Sequence, residues 1–326
     1  MLLVTGGAGF IGSNVVAALN EAGRTDIAVN DVLGSDDKWR NLAKRQVADV
    51  VGPADLMGWL AGRKLDGVIH MGAISDTTAT DADLVMENNF RTSMRLLDWC
   101  TEARVPFIYA SSAATYGDGA EGFDDDWSQA ALQKLKPMNL YGWSKQLFDQ
   151  ALAERVAKNE KLPPQWAGLK FFNVFGPNEY HKGEMMSLVA KRFDDAKAGR
   201  TVRLFKSHRD GIGDGEQRRD FIYVDDAVAV VRWLMQTPKV SGIFNVGTGK
   251  ARSFKDLITA LFGALGSPPK IEYVDMPENI RGQYQYFTQA HVESLLHAGY
   301  NAGFTSLEES VRRYVTQFLD TADRYR

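Results

Sequence analysis

The sequence predicts an α/β protein: a doubly wound parallel sheet of Rossmann type joined to a smaller, interleaved α/β substrate-binding domain. Three observations carry that expectation. Short apolar or β-branched runs alternate with longer helical patterns through the first half of the chain, a glycine-rich loop joins the first run to the first helical stretch, and the alternation breaks after about residue 173. Short strands separated by helices form βαβ units, whose right-handed crossovers make the strands parallel and place ligands at their C-terminal edge.

Taken in order, Leu2-Leu3-Val4, Ile27-Ala28-Val29, Gly67-Val68-Ile69, Pro106-Phe107-Ile108-Tyr109 and Leu169-Lys170-Phe171-Phe172 read as strands. Between them, Ile11 to Ala22, Leu84 to Ala103 and Tyr141 to Lys158 read as helices. Further on, Pro177, Gly183, the charged, glycine-rich segment Lys206 to Asp220 and Pro268-Pro269 interrupt the pattern, and Asp210 to Glu216 reads as a mobile loop. Asp220 to Asp226 and Ile243 to Gly247 look like strands again, so the chain is expected to return to its first domain. The expected division is therefore 1–172 with 220–246 and 287–326 for the doubly wound domain, and 173–219 with 247–286 for the smaller, interleaved one. Asp124-Asp125-Asp126 reads as a solvated loop, because no histidine or other ligand stands at metal-binding spacing.

Composition removes several function classes. A hydrophobic fraction of 44% and a charged fraction of 24% describe an ordinary globular chain rather than a disordered one. With 38 basic against 41 acidic residues there is no basic excess of the kind a nucleic-acid surface requires. The single cysteine, Cys100, can form neither an internal disulfide nor a thiolate zinc site, and no metal is expected. The apolar run Leu257 to Leu265 is interrupted by Thr259 and Gly263 and is far short of the ~20 residues a membrane span needs. The residues from Met1 enter structure directly, so a cytoplasmic protein is expected.

The loop Thr5-Gly6-Gly7-Ala8-Gly9-Phe10-Ile11-Gly12 carries the first chemistry. Gly7, Gly9 and Gly12 fit G-x-G-x-x-G, and Gly6, Gly9 and Gly12 fit G-x-x-G-x-x-G. Such glycines make a tight turn, let backbone approach a pyrophosphate and allow the helix to lie close to the sheet. Asp31, at the end of the second strand, stands where a carboxylate would bind a ribose hydroxyl. It would repel a 2′-phosphate and so favours NAD, whereas Lys38 and Arg40 either attract that phosphate or stand as solvated surface cations.

Tyr141 and Lys145 are four residues apart, on one face of a helix. Ionising a tyrosine of pKa ~10 at neutral pH costs about 4 kcal/mol, which a nearby ammonium and a positive nicotinamide ring would offset. Ser112 closes the strand that ends in Ser111-Ser112, where it would hydrogen-bond a substrate oxygen.

Glycine loop, Asp31, Ser112, Tyr141 and Lys145 together resemble the extended short-chain dehydrogenase/reductases that modify nucleotide sugars. Ala110-Ser111-Ser112-Ala113-Ala114-Thr115-Tyr116-Gly117, Phe172-Asn173-Val174-Phe175-Gly176-Pro177, His181-Lys182-Gly183 and Gly282-Gln283-Tyr284-Gln285-Tyr286-Phe287-Thr288-Gln289-Ala290 are similar, within that group, to the ADP-L-glycero-D-manno-heptose 6-epimerases. The resemblance implies a Rossmann domain with a smaller C-terminal substrate domain, a bound NADP with NAD as the alternative, an ADP-sugar or related nucleotide-sugar substrate, no membrane or nucleic-acid partner, and a homo-oligomer. It implies that Lys182 is a second acid/base opposite Tyr141.

The same resemblance implies a cofactor site of Gly6, Gly9, Phe10, Ile11, Gly12, Asp31, Val32, Lys38, Met71, Gly72, Ala73, Ile74, Ser75, Asn88, Lys145 and Val174. For the substrate it implies Ser112, Asn173, Glu184, Lys191, Phe205, Lys206, Ser207, His208, Arg219 and Tyr284, with Arg219 suited to a diphosphate by its bidentate fork. This chain departs from the pattern at Val32, where a polar residue would assist the ribose, at Pro53 in place of a lysine, at Glu184 in place of a small polar residue, and in a longer segment Ser207 to Arg218. The competing readings are a UDP-hexose 4-epimerase and, in another class, a non-catalytic NAD(P)-binding sensor. A sugar 4,6-dehydratase fits less well, because Ala113-Ala114-Thr115 lacks the acidic residue that follows the serine in that family.

Overall fold

The computed structural model describes residues 1–281 and 284–326. Gly282 and Gln283, which open one of the stretches that carry the resemblance, lie outside the described residues. The strands are β1 (Leu2–Thr5), β2 (Ile27–Asn30), β3 (Asp49–Val51), β4 (Gly67–His70), β5 (Phe107–Ser112), β6 (Trp166–Phe171), β7 (Asn173–Phe175), β8 (Val202–Phe205), β9 (Arg218–Tyr223), β10 (Gly242–Val246), β11 (Ala251–Ser253) and β12 (Ile271–Val274). Seven of them form one parallel sheet in the order β10-β6-β5-β4-β1-β2-β3. β1 is buried along its whole length, which is why it reads as a continuous apolar run instead of an alternating one. The chain leaves β1 toward β2 and β3, then returns to β4 on the other side, with Leu2 level with both Ile27 and Gly67. That reversal opens a crevice at the C-terminal ends of β1 and β4.

β3 has no counterpart among the expected strands. It has three residues, lies at the sheet's edge and exposes Val50, so it lacks both length and period. The expected helix Leu84 to Ala103 is present but changes register: Met86–Arg91 forms a wide π-type segment before the regular helix Thr92–Ala103. Such segments gather at functional sites, and this one turns Asn89 inward, where it accepts from the Ile74 N–H at 2.8 Å and donates to the Ile74 carbonyl at 2.9 Å.

Beyond residue 173 the two strand-like segments part company. β10 joins the large sheet beside β6. β9 does not: it lies in a separate three-stranded sheet between β7, parallel with Asn173 level with Phe221, and β11, antiparallel. β8 and β12 form a third, parallel pair. Helix Val224–Gln236 packs on helix Phe10–Glu21, and helix Leu307–Tyr314 packs on helix Phe254–Ala264. One apolar core runs continuously from Val4 and Val15 to Leu257, Ile258 and Val311. Each such buried side chain contributes roughly 1.5–3 kcal/mol, so the two parts are held as one body.

Two loop expectations are revised. The segment read as mobile is tied at its neck: the Ser207 N–H donates to Asp214 at 2.8 Å, Gly215 N–H to the Phe205 carbonyl at 3.2 Å, and Lys255 N–H to the Gly215 carbonyl at 3.0 Å. Of the three aspartates read as solvated, Asp125 is buried and accepts from the Asn245 N–H and the Ser294 hydroxyl. It pins the strand β10 to the loop in front of it. No helix among the described residues is long and apolar enough to cross a membrane.

Candidate active site

A cavity of about 630 Å³ opens at the C-terminal ends of the central strands. Its wall brings together Gly6, Gly9, Phe10, Ile11, Gly12, Asp31, Lys38, Met71, Gly72, Ala73, Ser75, Ser112, Tyr141, Lys145, Asn173, Val174, Lys182, Arg219 and Tyr284. The chain gathers these residues from the seven-stranded sheet, the three-stranded sheet and the loops and helices beside them.

At one end lies the glycine loop. A Cβ at Gly12 would sit 2.1 Å from the Gly6 carbonyl oxygen, and one at Gly6 would sit 2.6 Å from Gly72. Gly9 precedes helix Phe10–Glu21 without a side chain to cap it, so the first amide groups of that helix face the cavity unclaimed. A cradle with no room for side chains and an uncapped helix N-terminus fits a dinucleotide pyrophosphate. Asp31 accepts from the Ala8 N–H at 2.9 Å, the Val32 N–H at 2.7 Å and the Lys38 ammonium at 2.7 Å. Lys38 is thus a partner of the carboxylate at the cavity, while Arg40 turns to the surface to pair with Asp37.

The Tyr141 wall is rigid. Helix Leu140–Ala157 starts at Asn139, whose side chain accepts from the Gly142 N–H at 2.8 Å. Gly142 is required there because a Cβ would meet the Ala114 carbonyl at 2.6 Å, so the helix lies directly against the turn after Ser112. Burial pushes the Tyr141 phenol up in pKa, and a hydrogen bond with Ser112 opposes it. Lys145 is 3% exposed and donates to the Ala110 carbonyl at 2.7 Å. Burial draws its pKa down to about 8, with Asp149 pulling the other way. The Lys145 ammonium is held on strand β5 by the Ala110 carbonyl, and burial is the larger influence at Tyr141.

Behind this wall sits a charged cluster that sequence reasoning missed. Asp149, fully buried, accepts from Tyr109 at 2.9 Å, Ser111 at 2.7 Å and Lys170 at 3.1 Å, and Lys170 also donates to Thr115 at 2.7 Å. The available signals were an aspartate four residues after Lys145 and a lysine inside an apolar strand.

Lys182 stands on a short 3₁₀ turn, Tyr180–Met185, which Gly183 bends at φ +53. Its ammonium lies 5.1 Å from the centre of the Phe10 ring. Burial lowers its pKa and the Glu179 charge raises it. The segment before the turn hangs from the first helix: Asn14 donates to the Pro177 carbonyl at 2.9 Å, and Asn178 to Ser13 at 3.0 Å. Asn41 joins the two sides, donating to the Ala8 carbonyl at 2.9 Å and the Asn178 carbonyl at 3.1 Å. His181, beside Lys182, also lines the cavity; burial first, then Lys38, hold its imidazole down at about 4.

On the remaining wall, Arg219 is 7% exposed and lies over the rings of Tyr284 at 5.2 Å and Phe254 at 5.6 Å. Thr288 and Gln285 join it on the lining. The other expected site residues do not line the cavity. Val32 is exposed, and the Asn88 amide donates to the Leu84 carbonyl while its neighbour Asn89 holds the Ile74 backbone. Glu184 and Lys191 pair with each other at 2.6 Å on the outer surface. Phe205 stands edge-on behind Tyr284, Lys206 pairs with Asp275, Ser207 binds Asp214, and His208 accepts from the Met276 N–H.

Residues 2–247 match the model of the NAD dependent epimerase/dehydratase family. The chain is 50% identical over 329 residues to the ADP-L-glycero-D-manno-heptose-6-epimerase of Nitratidesulfovibrio vulgaris, covering all of both chains. The crystal structure of the Helicobacter pylori ADP-L-glycero-D-manno-heptose-6-epimerase superposes with a TM-score of 0.80 at 29% identity, over 97% of this chain and 95% of that one. Thermus thermophilus UDP-glucose 4-epimerase in complex with NAD superposes with a TM-score of 0.73 at 26% identity, over 96% and 97%. A glycine cradle, a Tyr/Lys helix and a full-length match at this identity lead to one conclusion: the chain belongs to the NAD dependent epimerase/dehydratase family, among its ADP-L-glycero-D-manno-heptose-6-epimerases.

Proposed function

We propose that the protein inverts carbon 6 of an ADP-glycero-manno-heptose, a precursor of lipopolysaccharide heptose. The observation that carries this is the pair Tyr141 and Lys182, two proton-handling groups that reach one cavity from separate supports. The Gly6–Gly12 loop would hold a nicotinamide cofactor, which would supply the hydride chemistry at carbon 6. Tyr141, hydrogen-bonded to Ser112, exchanges a proton with the carbon 6 oxygen of one epimer. Lys182 exchanges it with the carbon 6 oxygen of the other epimer, which would lie on the opposite side of the sugar carbon. The proton and the hydride removed in the first half are replaced in the second, so the reaction has no net redox change. Arg219, on its aromatic bed, holds the diphosphate, and Asn173 and Tyr284 line the sugar side.

In this reading residues 1–172 form the cofactor side, and the segments after 173 supply most of the sugar-nucleotide side. NADP is the cofactor we favour, with NAD as the alternative, because Lys38 offsets the charge of Asp31 where a 2′-phosphate would lie. The protein acts in the cytoplasm as a homo-oligomer. The test is incubation with ADP-D-glycero-D-manno-heptose and inspection of carbon 6 by NMR. Inversion is expected; absence of inversion together with turnover of a UDP-hexose overturns the proposal. Nucleotide released on denaturation distinguishes NADP from NAD.

A further inference from the structure

We propose that Glu179 is the positioning residue of the second acid/base: its buried carboxylate clasps both ends of the turn that carries Lys182 and supplies the counter-charge for the Lys182 ammonium. The inference rests on the reading of Lys182 given above. Glu179 is 0% exposed at the start of the turn, and its backbone carbonyl accepts from the Lys182 N–H at 3.0 Å. The carboxylate accepts from the Ser187 N–H and hydroxyl, both at 2.6 Å, from the Tyr314 hydroxyl at 3.1 Å and from the Gly176 N–H at 3.4 Å. Gly176 precedes the turn and Ser187 follows it. One side chain thereby ties together the two ends of the segment and anchors them to the helix Leu307–Tyr314.

Burial pushes the Glu179 carboxyl up in pKa, while Lys182 and the Ser187 and Gly176 donors pull it down. The geometry favours the ionised form. Both oxygens receive hydrogen bonds, and the Ser187 hydroxyl is itself an acceptor for the Ala190 N–H at 3.3 Å, which leaves its proton directed at Glu179. Lys182 makes no side-chain hydrogen bond among the described residues. Phe10 faces it from the first helix, and its neighbour His181, held neutral, faces Lys38 and Asp31. Glu179, on the same turn as Lys182 and hydrogen-bonded to its backbone, is the carboxylate whose charge opposes the lowering of this ammonium by burial. A retained charge beside a partly desolvated lysine keeps its proton exchangeable without letting it be lost altogether.

The test is titration of Lys182 in the cofactor-loaded protein by NMR of labelled lysine side chains, with Lys182→Met identifying the signal. Glu179→Gln is expected to lower the Lys182 midpoint by roughly one unit or more, and to move the corresponding limb of the kcat–pH profile the same way. Glu179→Asp keeps the charge but withdraws it by a methylene, so its midpoint is expected to fall between the two; it also serves if Glu179→Gln does not fold. An unmoved midpoint, even with reduced kcat, overturns the proposal. Full turnover in Lys182→Met would instead overturn the role given to Lys182, and the titration of Lys182 would still report on Glu179.

Discussion

The two walls of the cavity to which we assign proton transfer are built by opposite means. Tyr141 and Lys145 ride on a helix of eighteen residues that is capped by Asn139 and lies against strand β5. Lys182 rides on a six-residue turn with an irregular glycine, and it is held by Ser13, Asn14 and Asn41 from distant parts of the chain and by the adjacent Glu179. Regular secondary structure fixes the first wall, whereas discrete buried hydrogen bonds fix the second. Damage should therefore spread differently through them. Loss of one contact is absorbed along a helix but is felt directly by a turn.

The largest effect tests whether both walls are chemical. Tyr141→Phe and Lys182→Met are each expected to retain cofactor and to lose ~10²–10⁴-fold in the rate of carbon 6 inversion, measured by NMR. Normal turnover in Lys182→Met would reduce the comparison to a single working wall. Next comes the foundation of the first wall. Asp149→Asn leaves Lys170 buried without its charge partner and is expected to cost about 3–5 kcal/mol in a denaturant titration, enough to threaten the whole sheet. A loss below ~1 kcal/mol would show that the cluster is not what stiffens that wall.

The third effect is pH dependence. His70, buried between Thr5 and Ser93, has its pKa drawn down to about 3 by burial, and His181 is at about 4. Between their unfolded value near 6.5 and those depressed values, the unfolded chain binds protons that the folded chain does not. Stability is therefore present above about 6.5 and is lost as pH falls toward 3. Denaturant midpoints from pH 7 to pH 4 measure it, and a His70→Gln variant with an unchanged slope would remove His70 from the account. The smallest effect separates the walls most finely. Asn41→Ala removes the bridge between Ala8 and Asn178 and is expected to cost about 1–2 kcal/mol of stability. It is expected to reduce kcat with little change in the Tyr141 pH limb; an equal shift in both limbs would mean that the walls are not independent.

Much of the first wall was legible in the chain. Glycine spacing, the i, i+4 pair Tyr141/Lys145 and a strand ending at Ser112 are local patterns, and local patterns survive in one dimension. The Lys182 turn was visible only through its resemblance to a family, and its supports were not visible at all, because Asn14, Asn41 and Glu179 act across long sequence separations. β9 escaped for a related reason: Arg218 to Tyr223 reads as a strand, but nothing local says which sheet it joins. Glu184 and Lys191 were carried over from a family pattern, yet once Glu184 stands there the two charges satisfy each other outside the cavity. Asn88 and Asn89 differ by one helical position, and the π-type widening of that helix decides which of them faces inward.

The suspension of the Lys182 segment from Ser13 and Asn14 has a consequence for inheritance. The helix behind the glycine loop also carries the anchor points of the Lys182 segment, so the cofactor cradle and the second base that we propose would be transmitted as one unit whenever this part of the chain is copied or recombined. The aromatic and cationic wall around Arg219, Tyr284 and Phe254 has no such attachment to that helix among the described residues. Substitutions in that wall would therefore leave the spacing of the glycine loop and the Lys182 turn unchanged.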